Sequence, residues 1–537
     1  MKKQDYLKNE AAKLTSGHID RRQFVMSALA TGLALPTALS MAGDAIAATP
    51  KKGGLLRHAN GYGSTTDSID PSTSNNGFTQ AALYARGNHL TEIGNDGKLR
   101  GELAESFEPA DGATKWIFNL RKDVTFHNGK TLTADDVIAS FNIHRGEDTK
   151  SAAKALVSAV KDIKKDGDNR VIFEMNSGNA DFAYIVSDYH LMIMASDGSG
   201  NVDVTAKDNG TGGYTMEEFE AGVRASFKRN PNYWKEGNAH FDAINLLSVI
   251  DPTARQAAIL NGDVDIADAI DPKTVALLGR VPTLDILETT GTQHYTFPMR
   301  LDVEPFGNAD LRMALKLAID RQELVDKILL GHGVVGNDIP VNGVMPFFDE
   351  SIAQRTFDPE KAAEYYKKSG HSGPIQLSVA DAAFAGAVDA GQLVAASAKK
   401  AGIDIEVVRE PNDGYWSNVW NKKGWCACYW GGRPTQDWMY SSAYTADNTW
   451  NDTAWRDTPA ADRFNEVVVQ ARAETDDAKR KAQYAEAQRL LHDDGGAIVA
   501  MWANFILAHG KNVAHGPDVA ANWQNDGNKL SERWWFA

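Results

Sequence analysis

Cysteine is almost absent from this chain, which has Cys426 and Cys428 and no others in 537 residues. The two lie in segment 425–430, which we predict to be a strand, so both thiols should face the same side. Two thiols with no histidine within ten residues cannot complete a tetrahedral zinc site. We therefore expect buried thiols or a strained local disulfide, and neither a metal nor another cofactor.

Long apolar runs and catalytic motifs are missing as well. No stretch of 18 or more apolar residues follows residue 50, so we expect no membrane span in the body of the protein. There is no HExxH or GxSxG pattern, and the phosphate-loop glycine that should precede Gly129 by five residues is Val124. The prediction is that the protein is not an enzyme. A periplasmic hydrolase remains the alternative, because catalytic groups converge in space and not in sequence.

The charge balance is acidic, with a formal net charge of -15. Such a surface argues against binding to nucleic acid or to anionic membranes, although a cleft can carry a local field of the opposite sign. The length predicts two or more lobes. The 13 histidines are scattered, and the late pair His509 and His515 lies in segments interpreted as loops.

Residues 1–47 are predicted to be an export signal. Six basic residues precede an interrupted apolar stretch at 25–41, and Ala45 and Ala47 fit a small-x-small cleavage site. Arg21 and Arg22, with Phe24 two places after the pair, favour twin-arginine export, and general secretion is the alternative. No cysteine lies near the cleavage site, so no lipid anchor is expected there. We predict a periplasmic location.

Local patterns predict a mixed α/β architecture. Segment 114–126 alternates as a strand, and Thr133 with Asp136 indicates a capped helix start. One helix is predicted at 310–330, and segment 461–494 should hold two helices, the second capped near 475–477. Strands at 374–379 and 403–408 bracket a helix at 389–401, which is the βαβ order of an α/β lobe with a mixed sheet.

Seven segments in order resemble the periplasmic solute-binding family that includes the dipeptide, oligopeptide and nickel binders. The most recognisable is FNLRKDVTFHNG at 118–129, and LAESFE at 103–108 is similar to another family stretch. The seven segments are 66–71, 103–108, 118–137, 210–214, 229–234, 260–265 and 311–321. Their structural interpretation is core strand, turn or helix end, so they identify the scaffold and not the ligand site.

The resemblance implies a bilobal periplasmic-binding-protein fold, with two mixed-sheet α/β lobes joined by a two-strand hinge. Residues 48–298 and 510–537 would form lobe I, with a subdomain near 93–205, and residues 299–509 would form lobe II. The protein would be the substrate-binding component of an ABC importer. It would bury a small solute between closing lobes and deliver it to an inner-membrane permease.

The cleft should use the aromatic segment 415–455, which holds seven of the 13 tryptophans. From it we predict that Trp416, Trp430 and Trp438 contact ligand, and from the end of the first strand Tyr62 and Ser64. These aromatic side chains could equally be core.

Two arginines depart from the family pattern. In peptide-binding members a carboxylate that receives the peptide ammonium lies three residues after the tryptophan matched by Trp430. Here that position is Arg433, and Arg300 stands where many members carry Asn. A guanidinium forks onto a carboxylate or phosphate, so we predict a solute with an acidic group. Internal salt bridges are the structural alternative for both arginines.

A second ligand class remains open within the same scaffold. If the loop alignment shifts, Asp437 would take the ammonium of a short peptide. The predicted partners are thus a small-molecule solute and the membrane permease, with a chemoreceptor as a further candidate. The protein is expected to be a monomer that binds no nucleic acid.

Overall fold

The structure, a computed structural model, describes residues 10, 13, 21–31 and 50–537, except 75, 155, 412–414, 447 and 449. The predicted cleavage site at 45–47 lies outside the described residues. Arg21 and Arg22 begin the helix Arg21–Ala30. None of the helices in these ranges is long and apolar enough to cross a membrane.

The strands form one large sheet and four smaller ones. The first ten strands are β1 (Leu55–Asn60), β2 (Thr91–Ile93), β3 (Leu99–Gly101), β4 (Ala104–Ala110), β5 (Lys115–Leu120), β6 (Val160–Lys165), β7 (Arg170–Met175), β8 (Tyr214–Glu220), β9 (Arg224–Arg229) and β10 (Ala243–Ser248). The others are β11 (Ile266–Ala267), β12 (Leu284–Thr296), β13 (Gly333–Val335), β14 (Ile375–Val379), β15 (Ile405–Arg409), β16 (Cys428–Trp430), β17 (Val499–Gly510), β18 (Val513–Ala514) and β19 (Trp535–Phe536).

The α-helices after residue 50 are mostly short. Those in the first half of the chain are Gly77–Arg86, Ala134–Asn142, Phe182–Ile185, Pro252–Asn261 and Pro272–Leu278. Those in the second half are Ala309–Leu317, Arg321–Lys327, Pro359–Ser369, Ala387–Lys399, Tyr415–Asn418, Gln436–Ala443, Pro459–Ala473, Asp477–Asp493 and Leu530–Arg533. The short segment Gln524–Gly527 is a left-handed turn.

The large sheet carries strands from both halves of the chain. Its order is β16-β12-β17-β11-β1-β10-β9-β8, and β13 also pairs with β17. β1 is parallel to β10 and β11, whereas β12 and β17 form a long antiparallel ladder. The register of that ladder shifts between Thr290 and His294. The adjacent Gly291 is required there, because a Cβ would collide with the ring of Phe505.

The buried residues divide into two groups of hydrophobic clusters. The first core group draws on residues up to Leu287 and from Ile506 onward. The second core group draws on residues from Tyr295 to Ala503. The chain therefore passes between the two groups twice, once within β12 and once within β17.

Several local predictions are confirmed. The Thr133 N–H donates to Asp136 Oδ2 at 2.9 Å, which is the predicted capping arrangement. Asp476 caps the helix Asp477–Asp493 by accepting the Lys479 N–H. The parallel pair β14 and β15 brackets the helix Ala387–Lys399, as the βαβ prediction requires.

Other local predictions are wrong. The single helix at 310–330 is two helices, because the Asp320 side chain caps a new start by accepting the Glu323 N–H. The strand at 425–430 is regular only over its last three residues. His509 lies in β17 and not in a loop.

The two thiols are free and buried, and burial raises the pKa of each above its ordinary range. Of the two alternatives for Cys426 and Cys428, the structure therefore has buried thiols and not a disulfide.

Candidate functional site

A cavity of about 340 Å³ lies between the two core groups. It opens beyond the carboxyl ends of β1, β10 and β11, which is where open α/β sheets place their ligands. Tyr62, Ile250 and Ala269 line it from these strand ends, and Leu329 and Ala385 line it from the second core group. Between them lie side chains of the two crossing strands β12 and β17.

One buried carboxylate organises the floor of this cavity. Asp268 Oδ2 accepts hydrogen bonds from Asn60 Nδ2 at 2.7 Å and from Asn525 Nδ2 at 2.6 Å, and its Oδ1 accepts the Gly61 N–H at 2.6 Å. The Asn60 Oδ1 in turn accepts the Tyr62 N–H. Burial raises the pKa of Tyr62, so its phenol stays a neutral hydrogen-bond donor. Asp268 thus fixes the position of Tyr62 on one side and of Asn525 on the other.

The segment after Trp523 adopts an unusual backbone. Asn525, Asp526 and Asn528 have φ angles of 56°, 57° and 60°, in the left-handed region that Asn and Asp tolerate better than other non-glycine residues. The Asp526 carboxylate holds the turn by accepting from the Ala520 N–H, Arg533 and the Trp534 indole. The turn places the Trp523 and Gln524 side chains in the cavity wall.

Arg433 lies in the loop that follows β16. Its Nη1 donates to the Gly431 and Gly432 carbonyls at 3.0 Å each, and its guanidinium lies 5.9 Å from the Trp438 ring centroid. Gly432 packs so closely on β12 that a Cβ would collide with Thr292. Burial lowers the pKa of Arg433, although it stays protonated at neutral pH. Within the described part of the chain, no carboxylate lies within 4.0 Å of this guanidinium.

The surroundings of Arg433 come from both core groups. Tyr189 and Asp188 lie close enough to act on its charge, and so does Tyr429 of β16. The Asp188 carboxylate is already paired with His190 Nδ1 at 2.5 Å. The Tyr189 ring packs edge-on against Trp523, which lines the cavity, at 6.0 Å between centroids. Arg433 does not line the cavity itself but lies beyond this pair of rings.

Four tryptophans near Arg433 form one aromatic cluster. Trp416, Trp420, Trp430 and Trp450 contact one another with centroids 5.9–6.4 Å apart. Trp416 and Trp450 are exposed, at 40% and 52%, whereas Trp430 is buried.

The buried Asp452 lies beneath this cluster. The indole N–H groups of Trp420 and Trp430 both donate to Asp452 Oδ2, at 3.2 and 3.1 Å. Burial raises the pKa of Asp452 to about 6, and the two indole hydrogen bonds act in the opposite direction.

The remaining sequence-predicted residues lie away from the cavity. Asp437 is buried in the helix Gln436–Ala443, and its carboxylate pairs with Arg472 Nε at 2.9 Å. Arg300 is held by Asp302 at 2.7 Å and by the Asn421 carbonyl. Ser64 forms hydrogen bonds within its own turn. Of the eight predicted residues, only Tyr62 lines the cavity.

A buried ion pair joins the two core groups. Arg480 Nη2 lies 2.7 Å from Asp181 Oδ1, and both side chains are less than 8% exposed. Next to it, the Ala180 N–H donates to the Arg472 carbonyl at 2.6 Å. Asp181 belongs to the part of the chain near the first core group, whereas Arg472 and Arg480 belong to the second. These contacts clamp the two groups together at one edge.

Among the residues that the structure describes, no group of three or more His, Cys, Asp or Glu side chains is placed to hold a metal ion. His509 and His515 have ring centroids 5.9 Å apart and both pack on Trp534.

Comparison with known proteins gives a consistent picture. The model of bacterial extracellular solute-binding proteins, family 5 Middle, matches residues 98–452. A glutathione-binding protein of Salmonella typhimurium is 23% identical over 480 residues, which cover 84% of this chain and 90% of that protein. A heme-binding protein of Haemophilus influenzae is 26% identical over 294 residues, about half of each chain (50% and 53%).

A solved structure shares the fold. The periplasmic binding protein AgaA from A. tumefaciens R10, solved with agropinic acid, superposes with a TM-score of 0.75. The match has 20% sequence identity and covers 90% of this chain and 99% of that one. The architecture of two core groups with a cavity between them is therefore a bilobal binding-protein fold.

The Asp181–Arg480 pair should keep the two core groups together. Replacing Asp181 by Asn leaves a buried guanidinium without its counter-ion, which costs about 3–5 kcal/mol. We expect Asp181→Asn to lower the free energy of unfolding by that amount and to increase the radius of gyration measured by small-angle scattering. The exposed pair of Arg463 and Glu486 is the control. An unchanged radius of gyration in Asp181→Asn would show that the pair does not hold the lobes.

Asp452 should make stability depend on pH. Its folded-state pKa of about 6 lies above the ordinary value of 3.8, so its favourable contribution is complete below pH 3.8 and is lost as the pH rises through 6. We expect Asp452→Asn to be more stable than the unmodified protein by about 1–3 kcal/mol at pH 8 and to lose that advantage near pH 4. Urea unfolding at both pH values measures this difference.

The exposed Asp135→Asn is the matched control, and it should change stability by less than about 1 kcal/mol at either pH. A constant difference between Asp452→Asn and the unmodified protein across this range would contradict the raised pKa.

Proposed function

Because this chain belongs to family 5 of the bacterial extracellular solute-binding proteins, and is the substrate-binding component of an ABC importer, we propose that its own cargo is a small organic solute with an acidic group. The solute would bind between the lobes and be delivered to an inner-membrane permease. The relatives bind different cargoes, as the names glutathione-binding and heme-binding indicate. The ligand class must therefore be argued from this chain's own cleft.

We base the acidic group of the solute on the contacts and burial of Arg433. The guanidinium is partly buried, two backbone carbonyls engage one of its nitrogens, and no carboxylate of the described chain lies within 4.0 Å of it, the nearby Asp188 being paired with His190. A desolvated cation without a contacting anion is costly, and a carboxylate or phosphate on the solute would reduce that cost. Agropinic acid, the ligand of the structural neighbour AgaA, is by name an acid.

The peptide alternative rests on Asp437 as the acceptor of an ammonium. A structural neighbour of 18% identity, DppA from Helicobacter pylori, was solved with a peptide. In this chain the Asp437 carboxylate is engaged by Arg472 and Ser441, and burial raises its pKa. A peptide ammonium would have to displace Arg472, so we favour the acid.

The remaining parts of the proposal follow from the scaffold. The core groups would be the predicted lobes, 48–298 with 510–537 and 299–509, moving about β12 and β17. The subdomain would lie near 93–205. The protein would act as a periplasmic monomer without catalytic activity, and its closed form could also dock on a chemoreceptor.

Substitution of Arg433 tests the ligand class. We expect Arg433→Ala to weaken binding of the best acid in a screening panel by about 2–4 kcal/mol, or about 30- to 1,000-fold. The reason is loss of the cation that pairs with the solute's anionic group. Calorimetric titration measures the affinity, with the exposed Arg224→Ala as the matched control. If Arg433→Ala binds the best acid as tightly as the unmodified protein, the acidic-solute proposal is wrong.

The choice between twin-arginine export and general secretion is tested by substituting the two arginines of the predicted export signal. Replacing Arg21 and Arg22 together by lysine keeps the charge but removes the twin-arginine feature. We expect the variant to accumulate uncleaved inside the cell, as measured by fractionation and intact-mass spectrometry. Normal export of the double-lysine variant would favour general secretion.

A further inference from the structure

The charged side chains that line the cavity are already used within the protein. Arg255 donates to four backbone carbonyls, and Asp268 accepts from several neutral donors. Asp271 caps a helix, His332 contacts a glutamate of β12, and Asp526 is held by an arginine and an indole. Each of these charged groups therefore has at least one partner within the part of the chain that the structure describes.

What the cavity does offer is a set of four carboxamides. The Gln293 and Gln524 side chains line it and form no hydrogen bond with any part of the chain that the structure describes. Asn525 is 4% exposed, and its Oδ1 is buried with no partner in those same residues. Asn504 Oδ1 is likewise buried and has no hydrogen-bond partner in those residues. A buried acceptor without a donor costs free energy, and a ligand hydroxyl that reached these oxygens would remove that cost.

Aromatic rings make up much of the rest of the wall. Tyr62, Tyr295, Phe505 and Trp523 all line the cavity. Aromatic faces pack well against C–H groups, and carboxamides both donate and accept hydrogen bonds. This combination suits a compact part of a ligand that has C–H faces and hydroxyl groups. The volume of about 340 Å³ lies at the lower end of the range for small-molecule sites, about 300–1,000 Å³.

Two sets of contacts link the cavity wall to the neighbours of Arg433. Tyr429 pairs with Tyr295 across the β16–β12 ladder, and Arg433 follows Tyr429 by four residues. On the opposite side, Trp523 of the cavity wall packs on Tyr189, which lies near Arg433. These contacts place residues of the cavity wall next to the neighbours of Arg433.

We infer that the ligand is an acid joined to an uncharged polyhydroxylated body, with its anionic group on Arg433 and its hydroxyl groups on the carboxamides of Gln293, Asn504, Gln524 and Asn525. This inference rests on the proposed function and specifies its substrate class. A free peptide fits less well, because Asp268 and Asp526, the buried carboxylates of the cavity wall, are already held by several donors of the protein.

Titration of the dialysed protein with chosen probes tests the inference. Glucuronate, gluconate and glucose 6-phosphate carry both features, succinate carries only the acid, glucose only the hydroxyl groups, and dialanine is the peptide. At least one of the first three probes should bind about tenfold or more tightly than succinate, glucose and dialanine. If none of these three binds, or if succinate or dialanine binds as tightly, the inference is wrong.

Two variants test recognition of the ligand's hydroxyl groups separately from recognition of its acidic group. Gln524→Ala and Gln293→Ala should each weaken binding of the best sugar acid about five- to tenfold and leave binding of succinate unchanged. The exposed Gln376→Ala on β14 is the matched control. Equal losses for the sugar acid and for succinate would overturn the role of the carboxamides.

A separate experiment distinguishes failure of the proposed acidic cargo from failure of the inference about its hydroxyl groups. Mass spectrometry of small molecules released from the natively purified protein judges that function without reference to the probes. A released peptide or neutral molecule would contradict the acidic cargo, whereas a released acid without hydroxyl groups would overturn only the inference drawn here.

Discussion

The antiparallel ladder of β12 and β17 joins the two core groups along its whole length. It runs from the pair Leu284 and Gly510 to the pair Thr296 and Val499, and both lobes build their cores on its side chains. The cavity uses the same two strands as its back wall. The irregular register beside Gly291 therefore lies between the strand segments that pack into the two cores.

The scaffold could be predicted from the sequence because its signals are local. The capping pair Thr133 and Asp136 and the cap at Asp476 involve residues three positions apart. Long helices were harder to delimit: the apolar pattern at 310–330 continues through Asp320, although the chain starts a new helix there. Periodicity reports which face is buried, but it does not report whether the backbone stays continuous.

The site could be predicted only in part, since its partners are distant in sequence. Arg433 was recognisable because it reverses the charge that the resemblance to peptide-binding members predicts at that position. By contrast, the hydrogen-bonded ion pair of Asp437 and Arg472 joins residues 35 positions apart, and no local sequence pattern predicts it. Gln293 and Gln524 lie on a strand and in a left-handed turn, where a glutamine gives no sequence signal. Tertiary packing alone makes them wall residues of one cavity.

The aromatic cluster around Asp452 gives the protein an intrinsic fluorescence signal close to the loop that carries Arg433. Seven of the 13 tryptophans lie in segment 415–455, and the exposed Trp416 and Trp450 belong to the cluster beside the loop that carries Arg433. Indole emission depends on how much water surrounds the ring. A solute or a lobe movement that excludes water from Trp416 or Trp450 will change the emission spectrum, so occupancy can be followed without attaching a dye.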